Sequence, residues 1–148
     1  MKSTLIKLVL FTLLLTACSS GGTTSEDAGT LLRITDGTTE ETFSVADLEK
    51  LPVTEATFNE VTYKGVSLGT LLEEAGFSPG DLKSVKVTAT DGYSVNYDSG
   101  LFTRKDVIVA YATVDGSLTE DDGTFRMVLP GEEGKLNLRM LIELKVSQ

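Results

Sequence analysis

The sequence predicts an α+β domain, a mixed β-sheet with a few short helices, and three observations carry that reading. Between residues 31 and 147 most segments place apolar residues at every second position or in short solid runs, which is strand spacing. Only two stretches, 44–52 and 67–76, begin with a helix cap and continue with helical spacing, and both are short. Asp–Gly pairs at 36–37, 91–92, 115–116 and 122–123 punctuate the strands with turn chemistry, so hairpins rather than repeated βαβ units connect them.

Taken in order, the chain opens with Lys2 and Lys7, the apolar run 8–15 and small residues around Ala17–Cys18. A basic start, a short greasy core and a small-residue cut site predict a secretory signal peptide over 1–17. The run is shorter than the ~20 residues that a permanent membrane-spanning helix needs. Leu15–Thr16–Ala17–Cys18 resembles the lipobox of bacterial lipoproteins. The resemblance implies that Cys18 is a lipidation site, carrying a diacylglyceryl thioether and becoming the first residue of the mature chain. Residues 18–30 then form the lipidated cysteine and a Gly/Ser/Thr-rich tether. The expected location is the bacterial cell envelope, lipid-anchored and facing the periplasm or the exterior.

The folded domain is expected over 31–147. Segments 31–35 and 40–45 flank Asp36–Gly37 and read as paired strands; Ser44 with Asp47 three residues on forms a capping box, and Pro52 ends that helix. Residues 57–65 have strand character. Ser67 caps a helix whose Leu68, Leu71, Leu72 and Ala75 fall on one stripe, and Gly76 stops it. Residues 84–90 and 93–97 alternate as half-buried strands. Segment 106–114 is apolar enough to be covered on both faces, and 124–130 and 141–146 complete the strands.

Composition excludes several chemistries. The chain has one cysteine, no histidine and a net charge of −9, which removal of residues 1–17 with Lys2 and Lys7 deepens to −11. A histidine-based triad, a zinc protease site and a typical copper site are therefore excluded. So acidic a surface repels nucleic acid, so none is expected as a partner. The expected partners are the membrane, through the N-terminal lipid, and an envelope protein. The loop 115–123 alternates oxygen ligands but breaks the EF-hand pattern at Glu120 and Arg126, and reads as an acidic surface loop.

One family resemblance spans residues 31–147. Tyr63–Lys64–Gly65–Val66 precedes a Leu71–Leu72–x–x–Ala75–Gly76 helix; Asp91–Gly92–Tyr93 follows a strand; Ala110–Tyr111 leads toward Asp115–Gly116; and Gly123, Arg126, Val128, Pro130 and Gly131 precede a closing strand. In this order the motifs resemble the oxidoreductase molybdopterin-binding domain, the central domain of sulfite oxidase and its relatives. The resemblance implies that fold and a pterin-cofactor pocket. Its enzymes ligate molybdenum with a cysteine thiolate upstream of the first helix motif, where residues 54–62 here contain none. The expectation is therefore a degenerate domain with no cofactor, no catalytic residues and no metal ligands, acting as a binding or accessory module. The alternative is a molybdopterin-dependent oxidoreductase, or its accessory subunit, with non-standard or partner-supplied metal ligation. The candidate ligand-binding residues are Asp91, Tyr93, Arg126, Lys135 and Arg139. Asp91 is also expected to bond within its own turn, and Arg126 to pair with a carboxylate.

Overall fold

A computed structural model describes residues 29–148; the expected signal peptide, Cys18 and residues 19–28 lie outside the described residues. Among the described residues, ten strands build two sheets, with three short α-helices beside them. The first sheet runs β2 (Glu40–Phe43), β1 (Leu32–Thr35), β10 (Leu141–Ser147), β5 (Ser84–Ala89), β6 (Ser94–Tyr97). Its pairs are antiparallel except β1 with β10, which run parallel with Arg33 opposite Glu143. The last strand is thus a central one. The second sheet runs β3 (Thr54–Phe58), β4 (Val61–Ser67), β7 (Ile108–Thr113), β8 (Gly116–Ser117), with β9 (Arg126–Val128) also paired to β7. The expected mixed sheet is therefore two sheets, only one of them mixed.

The helices form where the caps stand. Ser44 and Asp47 make a reciprocal capping box at α1 (Val45–Leu48), and the Ser67 hydroxyl accepts from the Thr70 amide at α2 (Leu68–Glu74). Leu68, Leu71 and Leu72 bury completely and Ala75 almost so, and Gly76 ends the helix at φ 87°. A further turn, α3 (Ser99–Phe102), has no helical periodicity that four residues could show; it buries Phe102 in the core.

The expected strand at 57–65 is instead the hairpin β3–β4, turned by Asn59 and Glu60 at φ 48° and 66°. Both residues are left-handed, as a two-residue hairpin turn of the favoured hand requires. The strand expected at 124–130 shortens to β9, whose three residues are all buried.

Strand β7 divides the interior. Val107, just before it, and Val109 enter the main core, which the inner faces of the first sheet and α2 complete. Ile108 and Ala110 point the other way, into a smaller cluster with Ala56, Tyr63 and Val128. Successive side chains of a strand face opposite sides, so a solid apolar run serves two cores. Gly65 permits the contact between β4 and β7: a Cβ there would lie 2.0 Å from the Val109 carbonyl oxygen.

Candidate functional site

The segment from Pro130 to Arg139 has no regular structure but is fastened at both ends. At its start, Arg104 donates to the Pro130 carbonyl at 2.8 Å and to Glu132 at 2.7 Å while chelated by Asp106. Those carboxylates, Asp106 first, raise the Arg104 pKa, and the guanidinium in turn lowers that of Asp106. Toward its end, the buried Asn137 side chain accepts from the Leu129 amide at 2.6 Å and donates to the Leu129 and Glu133 carbonyls. An amide side chain here does what a neighbouring strand would do, filling both backbone valences of Leu129. Two tyrosines complete the fastening: Tyr93 donates to the Lys135 carbonyl at 3.3 Å, and the buried Tyr97 donates to the next one, Leu136. Burial, aided by the neighbouring Tyr93, pushes the Tyr97 hydroxyl far above its ordinary value, so it stays a donor.

This held segment forms one wall of a cleft of about 620 Å³, and the turn after β5 forms the other. Asp91, Tyr93, Lys135 and Arg139 all line it, so the structure brings together four of the five candidate residues. Asp91 also makes the expected turn bond, accepting from the Tyr93 amide at 2.9 Å. Lys135 pairs with Glu133 at 2.6 Å, and that carboxylate raises the pKa of the ammonium. Arg139 is exposed and makes no ion pair among the described residues.

Met140 forms the rim and was absent from the sequence-derived set. Its backbone sits at φ 51°, an uncommon conformation for a residue with a side chain. Three backbone bonds impose it: Met140 donates to Asp122 at 2.8 Å and accepts from Thr90 at 3.0 Å, and Leu141 donates to Phe125. Gly123, at φ 75°, makes room, since a Cβ there would come within 2.9 Å of the Met140 Cα.

The fifth candidate, Arg126, lies in a second cleft of about 370 Å³ that shares Gly134, Asn137 and Arg139 with the first. It is 5% exposed and pairs with the equally buried Asp122 at 2.5 Å. The same nitrogen donates to the Tyr63 hydroxyl at 2.8 Å, and the guanidinium carbon stands 4.5 Å from the Tyr63 ring centroid. The expected pairing of Arg126 is therefore observed. Its partner comes from the loop expected to be wholly surface: Asp122 turns inward, where Thr119 holds its other oxygen at 2.9 Å. Tyr63 stands 63 positions from Arg126 in the chain, whereas Asp122 and Asn137 lie only four and eight residues from Arg126 and Leu129, at spacings that mark no inward-turned side chain.

The cleft offers Arg139 and Lys135 to an anionic group and an accessible Tyr93 edge to a planar ring. No thiolate stands in the β3–β4 hairpin, and the described residues contain no group of three or more potential metal-ligating side chains. They fit the phosphate-bearing organic part of a molybdopterin and do not fit its metal.

A family model, the oxidoreductase molybdopterin binding domain, matches residues 35–148. No curated protein matches the chain. Among solved structures, the chain is similar to the sulfane dehydrogenase SoxCD from Paracoccus pantotrophus, with a TM-score of 0.66 and 21% identity. The match covers 79% of this chain and 38% of that one, so the chain spans well under half the matched protein. The fold expectation stands. The expectation of no cofactor is corrected: the family matched over residues 35–148 is a molybdopterin-binding one. That expectation rested on the missing thiolate, on the absence of histidine and on the lack of an obvious basic cleft in so acidic a chain, whereas Lys135 and Arg139 both line this cleft and could meet an anionic group.

Proposed function

Because the chain belongs to the oxidoreductase molybdopterin-binding domain family, we propose that it is a lipid-anchored accessory module of the cell envelope that holds the organic part of a molybdopterin in the cleft between Tyr93 and Arg139. The carrying observation is Arg139, a guanidinium bordering both clefts with no carboxylate of its own among the described residues. In a chain with 22 acidic side chains, a cation without an ion pair on a concave wall is a place for an anionic ligand. Lys135 adds a second charge, and the fastening of its segment by Tyr93, Tyr97, Asn137 and Arg104 removes much of the ordering cost of binding. The chain's part is to bind and orient the ligand.

The test is expression of the full chain in a host that makes the cofactor, followed by denaturation and measurement of released pterin and of molybdenum. Pterin at near one equivalent is expected, falling at least about tenfold in Lys135→Glu/Arg139→Glu, since each lost charged hydrogen bond is worth roughly 1.5–3 kcal/mol. Protein free of pterin would overturn the reading. A second reading, an oxidoreductase completed by its partner's metal ligand, is favoured by the thiolate-free β3–β4 hairpin. It requires molybdenum to be retained only when that partner is present. Lipidation is checked separately, by the mass of the N-terminal peptide at Cys18.

A further inference from the structure

We infer that the cleft-bearing end of the first sheet is a membrane-docking face that rests on the bilayer to which the chain is anchored; the inference builds on the lipid-anchor reading above. The parallel register of β1 and β10 sets Arg33 opposite Glu143. Two residues upstream of that pair lie Leu31 and Leu141, so the chain enters the fold beside the start of β10. Leu141 is in turn opposite Ala89 on β5, and the Thr90 amide donates to Met140. The point of entry, the Met140 rim and the Asp91–Tyr93 turn thus share one end of the sheet.

That end carries exposed apolar side chains. Of the six large hydrophobic side chains exposed among the described residues, three are here: Leu31 (51%), Tyr93 (47%) and Met140 (39%). Its charges nearly cancel: Asp91, Asp121 and the Lys135 partner Glu133 outnumber Lys135 and Arg139 by one, in a chain of net charge −9. A bilayer surface is therefore not repelled here as it is by the acidic remainder. Aliphatic side chains beside a tyrosine suit the headgroup boundary, where an apolar body and a polar tip are both accommodated.

The length of chain outside the described fold selects the bilayer as occupant. Residues 19–30 separate the lipidated Cys18 from Leu31 and reach at most about 40 Å fully extended. The end of the domain nearest the anchor is the end carrying the patch, so anchoring holds it at high effective concentration against the lipid. Docking would turn the cleft mouth toward the membrane.

The test uses the full lipidated chain in phosphatidylcholine vesicles containing brominated lipid. The chain has no tryptophan, so single-tryptophan variants are clean reporters. Leu31→Trp lies outside the cleft and Tyr93→Trp on its wall; Val53→Trp, also exposed, stands at the end of β3 away from the clefts. Insertion of the patch by about 5–10 Å predicts about a twofold loss of fluorescence for Leu31→Trp and Tyr93→Trp and almost none for Val53→Trp. Equal quenching at all three sites, or none at the first two, on protein whose Cys18 is lipidated by mass would overturn docking and leave the anchor standing. An unmodified Cys18 would overturn both.

Discussion

The hydroxyl of Tyr97, fully buried at the end of β6, donates to the backbone carbonyl of Leu136, 39 residues away in the segment that carries Lys135 and Arg139. A core strand thereby sets the position of a cleft wall. Tyr97→Phe keeps the ring and removes the donor, leaving a carbonyl short of its partner. The expected cost is about 1–3 kcal/mol, measured by denaturant unfolding. Hydrogen exchange should quicken across 133–139 while the exchange of β5 is unchanged. A uniform rise over the whole domain would show that the tyrosine supports the core and not the wall.

The Asp122–Arg126 pair makes a sharper prediction. Both side chains are less than a tenth exposed, so removing one partner strands the other's charge. Asp122→Leu should cost about 3–5 kcal/mol, whereas Asp122→Leu/Arg126→Met should recover most of that loss. Melting of the two variants checks it. A double variant as unstable as the single one would mean that Asp122 matters through its bonds to Thr119 and not through the pair.

Gly65 is expected to tolerate no side chain. Gly65→Ala sets a methyl group against the Val109 backbone, where only movement of a strand could relieve it. Gly80→Ala meets nothing within 4 Å and should change stability by less than about 1 kcal/mol. Comparing the soluble yield and melting of the two tests the asymmetry; a well-folded Gly65→Ala would show that β4 and β7 can separate where their register shifts, between Lys64 and Gly65.

Acid stability should carry a signature of Asp47. Its carboxyl is held below the ordinary value of 3.8 by the Ser44 hydroxyl, then by Lys50 and the Ser44 amide. A carboxylate with a lowered folded pKa contributes stability that is complete above about pH 4 and is lost as the pH falls further. Asp47→Asn should therefore lower stability at neutral pH and narrow the difference from wild type between about pH 4 and pH 2. Melting curves across that range read the effect. Parallel curves would remove Asp47 from the acid response.

The local parts of this fold were legible in advance, and the distant ones were not. The capping box at Ser44, the stripe from Leu68 to Ala75 and the alternation of Val85, Val87 and Ala89 are properties of neighbouring residues, and each formed as expected. The Asn59–Glu60 turn was missed because neither residue is a glycine and strand-like spacing runs through it. Four of the five candidate site residues met in one cleft because they border the same turn and segment. Asn137 and Asp122 stayed hidden: an asparagine that completes the valences of Leu129, or an aspartate that turns inward to an arginine, looks the same in sequence as one in water.

The first sheet carries one more implication, for the order in which the domain can be made. Its middle position belongs to β10, which is flanked by β1 and β5. During synthesis β1–β2 and β5–β6 emerge as two separate hairpins with nothing between them. Their apolar faces have no joint sheet to belong to until residues 141–147 arrive. Assembly of that layer is therefore a late, all-at-once event, and a chain cut just before Leu141 would have two ribbons where the finished protein has one sheet.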